Sequence, residues 1–373
     1  MKKDTLFVGL DTDKKHIDVA VAEPLPGGEV RYWGKIANTA PSVDRLIKKL
    51  GQGGRPLMVC YEAGPCGYGL YRQLSAKPGV TCEVVAPSMI PRRSGDRVKT
   101  NRRDALALAR LRRAEELTAV WVPDEAHEAM RDLIRARAAA VSAMIRCQQQ
   151  ISSFLLRQRI AYVDGKPWTR KHRQWLGTLQ FDHAAQRLMF AEALLALDQA
   201  TARRRRLGEH IEELVPSWSL GWLVQALQAL RGYQTINAAV LVSEIGDPRR
   251  FESPRKLMGF LGVNVSEHST GDNTRRGHLT KTGSKRGRKA LIEAAWTCRT
   301  VARHAKPQAA SQPAAVQQIA DKAGHRLSRR YRHLVARGKP PQVAIAAVAR
   351  ESLGFIWAIA HAAAPQHQSA VAP

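Results

Sequence analysis

Phe7-Val8-Gly9-Leu10-Asp11-Thr12-Asp13-Lys14-Lys15 is an apolar run that ends on an acid and then turns polar, the pattern of a buried β-strand followed by a turn. The next run, His16 to Ala22, alternates polar and apolar residues, so the two predict a hairpin. A carboxylate at the mouth of a central strand loses hydration unless something cationic meets it. Two further acids stand in similar settings. Glu62 closes the apolar run Leu57-Met58-Val59-Cys60-Tyr61, and Asp104 opens the helical run Ala105 to Leu111. Three carboxylates, each at the end of a regular element, suit a cage for divalent metal.

Outward from this stretch, residues 5 to about 122 alternate strand and helix. Strands are predicted at 5–10, 16–22, 29–37, 56–61 and 81–85, and helices at 41–50, 67–76 and 103–116. That is an α/β order opening on a meander. Gly27-Gly28 marks a hairpin turn, and Gly64-Pro65-Cys66-Gly67 separates strand from helix without matching a phosphate-loop fingerprint. From Pro91 to Asp104 the chain turns basic, with Arg92, Arg93, Arg97, Lys99, Arg102 and Arg103 in one segment beside the proposed metal site. A loop gripping phosphates is favoured there over a solvated charge run.

From Asp124 on, the pattern is helical. Met130, Leu133/Ile134, Arg137, Val141, Met144/Ile145, Gln148, Ile151 and Phe154/Leu155 recur at spacings of three and four, which fits either a coiled-coil seam or an amphipathic helix on a core. A second helix, about 183 to 214, carries Arg203-Arg204-Arg205-Arg206, and the pair reads as a long helical hairpin. In the third region, helices are predicted over 223–230, 238–245, 254–261 and 288–303, with a polar, hydroxyl-rich loop from Gly262 to Arg286. The residues after 362 are read as a disordered tail. The organisation expected is thus 1–122, 123–216, 217–362 and 363–373.

Lys and Arg number 59 against 32 Asp and Glu, a formal net charge of +27 over 373 residues. Such an excess argues for a polyanionic partner, nucleic acid first. The five cysteines include no Cys-x-x-Cys pair, which speaks against zinc or a disulfide framework and for a reducing cytoplasm. No signal peptide and no apolar run near the roughly 20 residues of a membrane span is expected.

Two hard divalent ions want oxygen ligands and can clamp both the attacking and the leaving oxygen of a phosphodiester. Asp11, Glu62 and Asp104 are the right type, and Asn101, three residues before Asp104, shares a helix face with it. Asn101 fits equally as a helix N-cap, with Asp104 a favourable charge at the positive end. In the late loop, Ser269-Thr270-Gly271 sits among Arg275, Arg276, Lys281, Lys285 and Arg286. Ser269 there is either a nucleophile toward phosphorus, if something takes its proton, or one of several hydroxyls that merely bind phosphates.

Together these residues resemble the DEDD transposases of the insertion-sequence 110 family, the bridge-RNA-guided recombinases. The resemblance rests on Gly9-Leu10-Asp11, Tyr61-Glu62-Ala63, the run from Gly95 to Ala105, Glu244-Ile245-Gly246-Asp247-Pro248-Arg249-Arg250-Phe251, and Ser269-Thr270-Gly271 through Thr280-Lys281-Thr282-Gly283. It implies a RuvC-like, RNase H-like α/β domain with four acidic metal ligands, a coiled-coil stalk, and a mainly α-helical transposase domain with a serine nucleophile. By position the ligands are Asp11, Glu62, Asn101 and Asp104, the ions Mg²⁺ or Mn²⁺, and the nucleophile Ser269, with Thr270 its neighbour. Donor and target DNA, a structured guide RNA and a dimer or tetramer of the chain are the implied partners, with no membrane, in the cytoplasm and on the nucleoid. Two departures stand out. Asn101 occupies a position where the family has Asp, and Gly232-Tyr233-Gln234-Thr235 replaces a tighter glycine turn.

The expected activity is therefore metal-dependent cleavage and rejoining of DNA at a serine, with the target chosen by guide RNA. A RuvC-type nuclease using water is the first rival, and a catalytically inactive nucleic-acid-binding protein is the second.

Overall fold

A computed structural model describes residues 4–24, 27–91, 100–270, 273–300 and 311–364. The chain divides into two compact units, Met1–Val122 and Pro123–Pro373.

The first unit is built on a five-stranded mixed sheet in the order β3-β2-β1-β4-β5. The strands are β1 (Leu6–Thr12), β2 (His16–Ala22), β3 (Val30–Ala37), β4 (Leu57–Glu62) and β5 (Val80–Val85), with helices α1 (Ala40–Leu50), α2 (Gly69–Ser75) and α3 (Asn101–Arg113). β1, β2 and β3 form an antiparallel meander, and β4 and β5 run parallel to β1. Leu6, Val8 and Leu10 point to one face and pack with Val43, Leu46 and Leu50 of α1 and Leu74 of α2. Phe7, Ala20 and Ala22 point to the other, against Ala105 and Ala109 of α3. Both faces are thus covered, and every residue of β2 from Ile17 to Ala22 is buried.

Gly9 sets how close α3 comes. A Cβ at Gly9 would lie 2.4 Å from the Ala105 carbonyl oxygen and 2.4 Å from the Ala109 nitrogen. Only glycine under two alanines lets helix and strand backbones meet at that distance. α3 also begins earlier than the predicted 103. Its N-cap is Thr100, in extended conformation, whose hydroxyl accepts the Arg103 N–H at 3.3 Å. Asn101 is therefore the first helical residue rather than the cap.

The second unit begins with α4 (Glu125–Arg157), followed by α5 (Arg170–Thr178) and α6 (Ala184–Leu214). Asp124 caps α4 by accepting the His127 N–H at 2.6 Å. α4 and α6 pack along each other as an antiparallel hairpin: Arg137 lies against Gly208, while Gln186 donates to Gln158 at 3.2 Å. Met130, Ile134, Ile151, Phe154 and Leu155 of the periodic seam are buried, whereas Ile145 is exposed. A separate small core of Phe154, Phe181, Phe190 and Leu176 closes the far end of the hairpin.

The rest of the unit is mainly helical: α7 (Gly221–Leu227), α8 (Thr235–Ile245), α9 (Pro254–Phe260), α10 (Lys285–Ala295), α11 (Ala314–Ala336) and α12 (Pro341–Ala362). α10 stops at Ala295 and gives way to a short 3-10 turn, so the helix expected over 288–303 is shorter on its C-terminal side. The stretch read as loop from Gly262 to Arg286 holds a two-stranded antiparallel hairpin, β6 (Val265–Glu267) and β7 (Arg276–Leu279). Tyr233 is buried, and Asn237 ties the carbonyls of Gly232 and Ala290, so the Gly232 turn packs into the helical core. α12 also corrects the expectation of no long apolar segment. It is long and apolar enough to cross a membrane by length and composition, yet half of that window is buried. Ile345, Val348, Leu353 and Ile356 place it in the main core of this unit.

Candidate functional site

By strand alternation Asp11 shares the face of Gly9, the face covered by α3. Leu10 lies opposite Tyr61 on the parallel β4, so the next residues, Asp11 and Glu62, stand side by side at the C-terminal ends of their strands. Cys60, two residues before Glu62, donates its thiol to the Leu108 carbonyl of α3 at 3.6 Å, which puts Glu62 on the α3 face as well. α3 runs antiparallel to β1. Arg113 at its end donates to the carbonyls of Glu23 and Gly28, at 3.1 and 2.8 Å, beside the start of β1. Its first turn, with Asn101 and Asp104, therefore lies toward the Asp11 end, with the positive end of the helix dipole.

Directly opposite Asp11 on the other neighbour, β2, is Asp18. It is 3% exposed, accepts the Tyr32 hydroxyl at 2.6 Å, and has the Lys35 ammonium 3.7 Å from its second oxygen. The bond to Asp18 raises the pKa of the Tyr32 hydroxyl. The Arg102 guanidinium lies over the Tyr32 ring, 4.9 Å from its centre, which ties the first turn of α3 to the meander. Asp13 has a local role. It accepts the N–H groups of Lys15 and His16 at 2.6 Å each, and these bonds hold its carboxyl below the usual range.

Two like charges facing each other across a strand pair are unfavourable unless a cation lies beside them. Lys35 meets that need for Asp18. The donors at this end are all hard oxygens, the type a divalent ion takes. Among the described residues, however, no group of three or more His, Cys, Asp or Glu side chains is close enough to hold a metal ion. The donor set fits in kind and in its place at one sheet end, without closing into a cage.

In the second unit the β6–β7 hairpin presents an exposed turn. Ser269 donates its hydroxyl to Glu267 Oε1 at 2.8 Å, and Arg276 Nε stands 3.7 Å from Glu267 Oε2. Thr270 and Asn273 exchange backbone hydrogen bonds at 3.2 Å, which closes the turn, and His268 N–H donates to Arg275 at 2.9 Å. Ser269, Thr270, Arg275, Arg276 and Lys281 are all exposed. Below them, Ser284 caps α10 by accepting the Gly287 N–H at 3.1 Å and donates to Glu244 at 2.9 Å. That leaves Lys285 and Arg286 exposed on the first turn of α10. Arg288 donates to the carbonyls of Leu261, Thr282 and Gly283, which fixes the loop to the helix. Gly262, at φ +64, sits where a Cβ would be 2.3 Å from the Thr282 backbone. The hairpin base is thus rigidly held while its tip is open and cationic.

Residues 8–159 match the IS110-type DEDD transposase family, and residues 224–311 match the transposase family IS116/IS110/IS902. A Sinorhizobium fredii protein named as the transposase y4qE is 48% identical over 96% of this chain and 89% of its own length. The transposase for insertion sequence element IS1533 of Leptospira borgpetersenii is 30% identical over 90% of this chain and 99% of its own. The chain belongs to the IS110 family of DEDD transposases.

This transposase is a DNA-acting enzyme of an insertion sequence, in a family that implies divalent-metal dependence and DNA binding. Of the residues expected from sequence, Asp11 and Glu62 share one strand end, and Asn101, Arg102, Arg103 and Asp104 form the helix turn above that face. Arg92, Arg93, Arg97 and Lys99 lie outside the described residues. Ser269, Thr270, Arg275 and Arg276 share the hairpin, with Lys281 in the following loop and Lys285 and Arg286 on α10. Two residues of the transposase went unread in sequence. Asp18 left its signal in an acid within an otherwise apolar strand. Glu267 left one in its i, i+2 spacing to Ser269, which places both on one face of an extended segment.

Proposed function

We propose that this transposase excises and inserts its element by cutting DNA with Ser269 and rejoining it, at targets chosen by a structured RNA of the element. In this reading residues 1–122 form a RuvC-like, RNase H-like domain, 123–216 a coiled-coil stalk, 217–362 the serine-bearing transposase domain, and 363–373 a tail. The observation that carries it is the Ser269–Glu267 hydrogen bond of 2.8 Å on an exposed cationic hairpin. A serine hydroxyl is a weak nucleophile until a base takes its proton, and Glu267 is placed to accept it. The Ser269 oxygen attacks phosphorus, the Oγ–P bond forms, and the deoxyribose oxygen leaves. Arg275, Arg276, Lys281, Lys285 and Arg286 hold the phosphates in register.

Asp11, Glu62, Asn101 and Asp104 would hold one or two Mg²⁺ or Mn²⁺ ions, which when bound stabilise charge on phosphodiester oxygens. Asn101 offers a neutral oxygen at this position, so a second ion would be held with one charge fewer than a carboxylate would give. The basic segment with Arg92, Arg93, Arg97, Lys99, Arg102 and Arg103 grips nucleic-acid backbone. The net charge of +27 suits both the DNA and the RNA partner, and a dimer or tetramer brings two DNA ends together in the cytoplasm.

A strand-transfer assay on element-end DNA tests this reading. Protein-linked DNA followed by joined product is expected. Free cleaved ends without any protein adduct would mean a water-using nuclease, and binding without cleavage would mean an inactive DNA binder. Asn101→Asp tests the ligand set itself, since the added charge should raise activity and tighten the Mg²⁺ titration several-fold. An unchanged titration would remove Asn101 from the ligand set.

A further inference from the structure

Behind the β6–β7 hairpin lies a groove of about 630 Å³, within the size range of sites that hold one small ligand. Its floor is apolar, made by Met258 of α9, Val265 and Leu279 of the hairpin, and Val343 and Ala346 of α12. Val265 and Val343 are 39% and 53% exposed, so the floor keeps apolar surface in water until something covers it. The rim is cationic, with Arg255, Arg330 and Arg350. The one acid there, Glu351, is already engaged by Arg326 and lies 3.9 Å from Arg330. Among the described residues neither Arg255 nor Arg350 has an ion-pair partner. Gln342 and His278 add polar groups to the walls.

An occupant that suits these walls has a flat, largely apolar body, an edge that hydrogen-bonds, and negative charge at one end. A nucleotide meets all three conditions, with the base on the floor, its edge toward Gln342 and His278, and its phosphate among the arginines. A base stacked in a duplex cannot reach such a floor, so the nucleotide must be out of the stack. Position supports DNA as the source. Val265 on the floor and Ser269 on the tip belong to one hairpin, four residues apart, which spans at most about 13 Å of extended chain.

We propose that this groove receives one nucleobase turned out of the DNA strand within a few nucleotides of the bond that Ser269 cuts. The proposal rests on the serine-hairpin reading above for its choice of DNA strand.

The test uses full-length transposase and element-end duplexes carrying 2-aminopurine at successive positions near the cut, a base whose emission is quenched by stacking. On binding, emission should rise several-fold at one position and stay flat at its neighbours. Val343→Glu, at an exposed site, and Arg350→Ala should each abolish the rise at that position while lowering overall DNA affinity less than tenfold. The rise should persist in Ser269→Ala, where any covalent adduct is lost. If wild-type protein unstacks no position although adducts form, the groove proposal fails and the serine reading stands. A rise that survives both groove variants would also overturn it. So would a change of oligomeric mass in Val343→Glu with the fluorescence rise intact, which would make the groove an interface between copies of the chain.

Discussion

Tyr32 shows at the scale of one residue how the carboxylate end is kept in order. Asp18 is almost wholly buried, and its first oxygen is satisfied by the Tyr32 hydroxyl at 2.6 Å. Tyr32→Phe removes that donor while leaving the ring for Arg102 to lie over. A buried charged acceptor that loses its partner costs about 1–3 kcal/mol, so the unfolding free energy of the first unit should fall by that much and its urea midpoint should drop with it. An unchanged midpoint would mean that Lys35 alone satisfies Asp18. Residue identity told part of this in advance. The places of Asp11 and Glu62 at the ends of neighbouring strands were legible because each ends an apolar run. Asp18 was not, because its partner Tyr32 is fourteen residues away on β3 and only the strand register brings the two together. The N-cap was misplaced by one residue because Thr100 and Asn101 are both good caps in sequence, and only the extended backbone at Thr100 decides between them.

Among elements, the docking of α3 on β1 depends on the absence of a side chain. Gly9→Ala would push a methyl group to 2.4 Å from two backbone atoms of α3, and neither backbone can yield without the other. Overpacking of this kind costs about 1–3 kcal/mol and should also displace the first turn of α3 from the Asp11 end. Lower stability together with weaker metal-dependent activity is the expected outcome, and a variant as stable as the parent would contradict the close packing.

The junction of α4 with α8 should respond to pH through His127. His127 is buried and bonds to the Ser243 carbonyl at 2.9 Å, as Arg131 does. Burial lowers its pKa below the ordinary 6.5. The unfolded chain therefore binds a proton at this residue in a pH range where the folded chain does not, so stability falls as pH drops below about 6.5 toward the lowered folded value. His127→Gln should flatten that part of a pH–stability profile, and a profile of unaltered slope would remove the residue as its source. The sheet and the long hairpin were legible because their periodicities extend over many residues. β6 and β7 were not, since three- and four-residue strands with mostly exposed side chains carry no period. α12 went unread because Arg350 and Glu351 interrupt an apolar stretch that the core nevertheless buries.

For the whole molecule, a charge of +27 made nucleic acid the natural partner, and the family match makes that partner DNA. Charge alone does not reveal chemistry, and the proposed chemistry turns on one hydroxyl. Active transposase incubated with element-end DNA and quenched in denaturant should carry a nucleotide bonded to one peptide. Digestion and mass spectrometry should locate that bond on Ser269, and Ser269→Ala should lose both the adduct and strand joining, whereas Thr270→Ala should retain the adduct. A nucleotide mapped to Thr270 or elsewhere, or efficient joining by a protein that never carries one, would contradict the account.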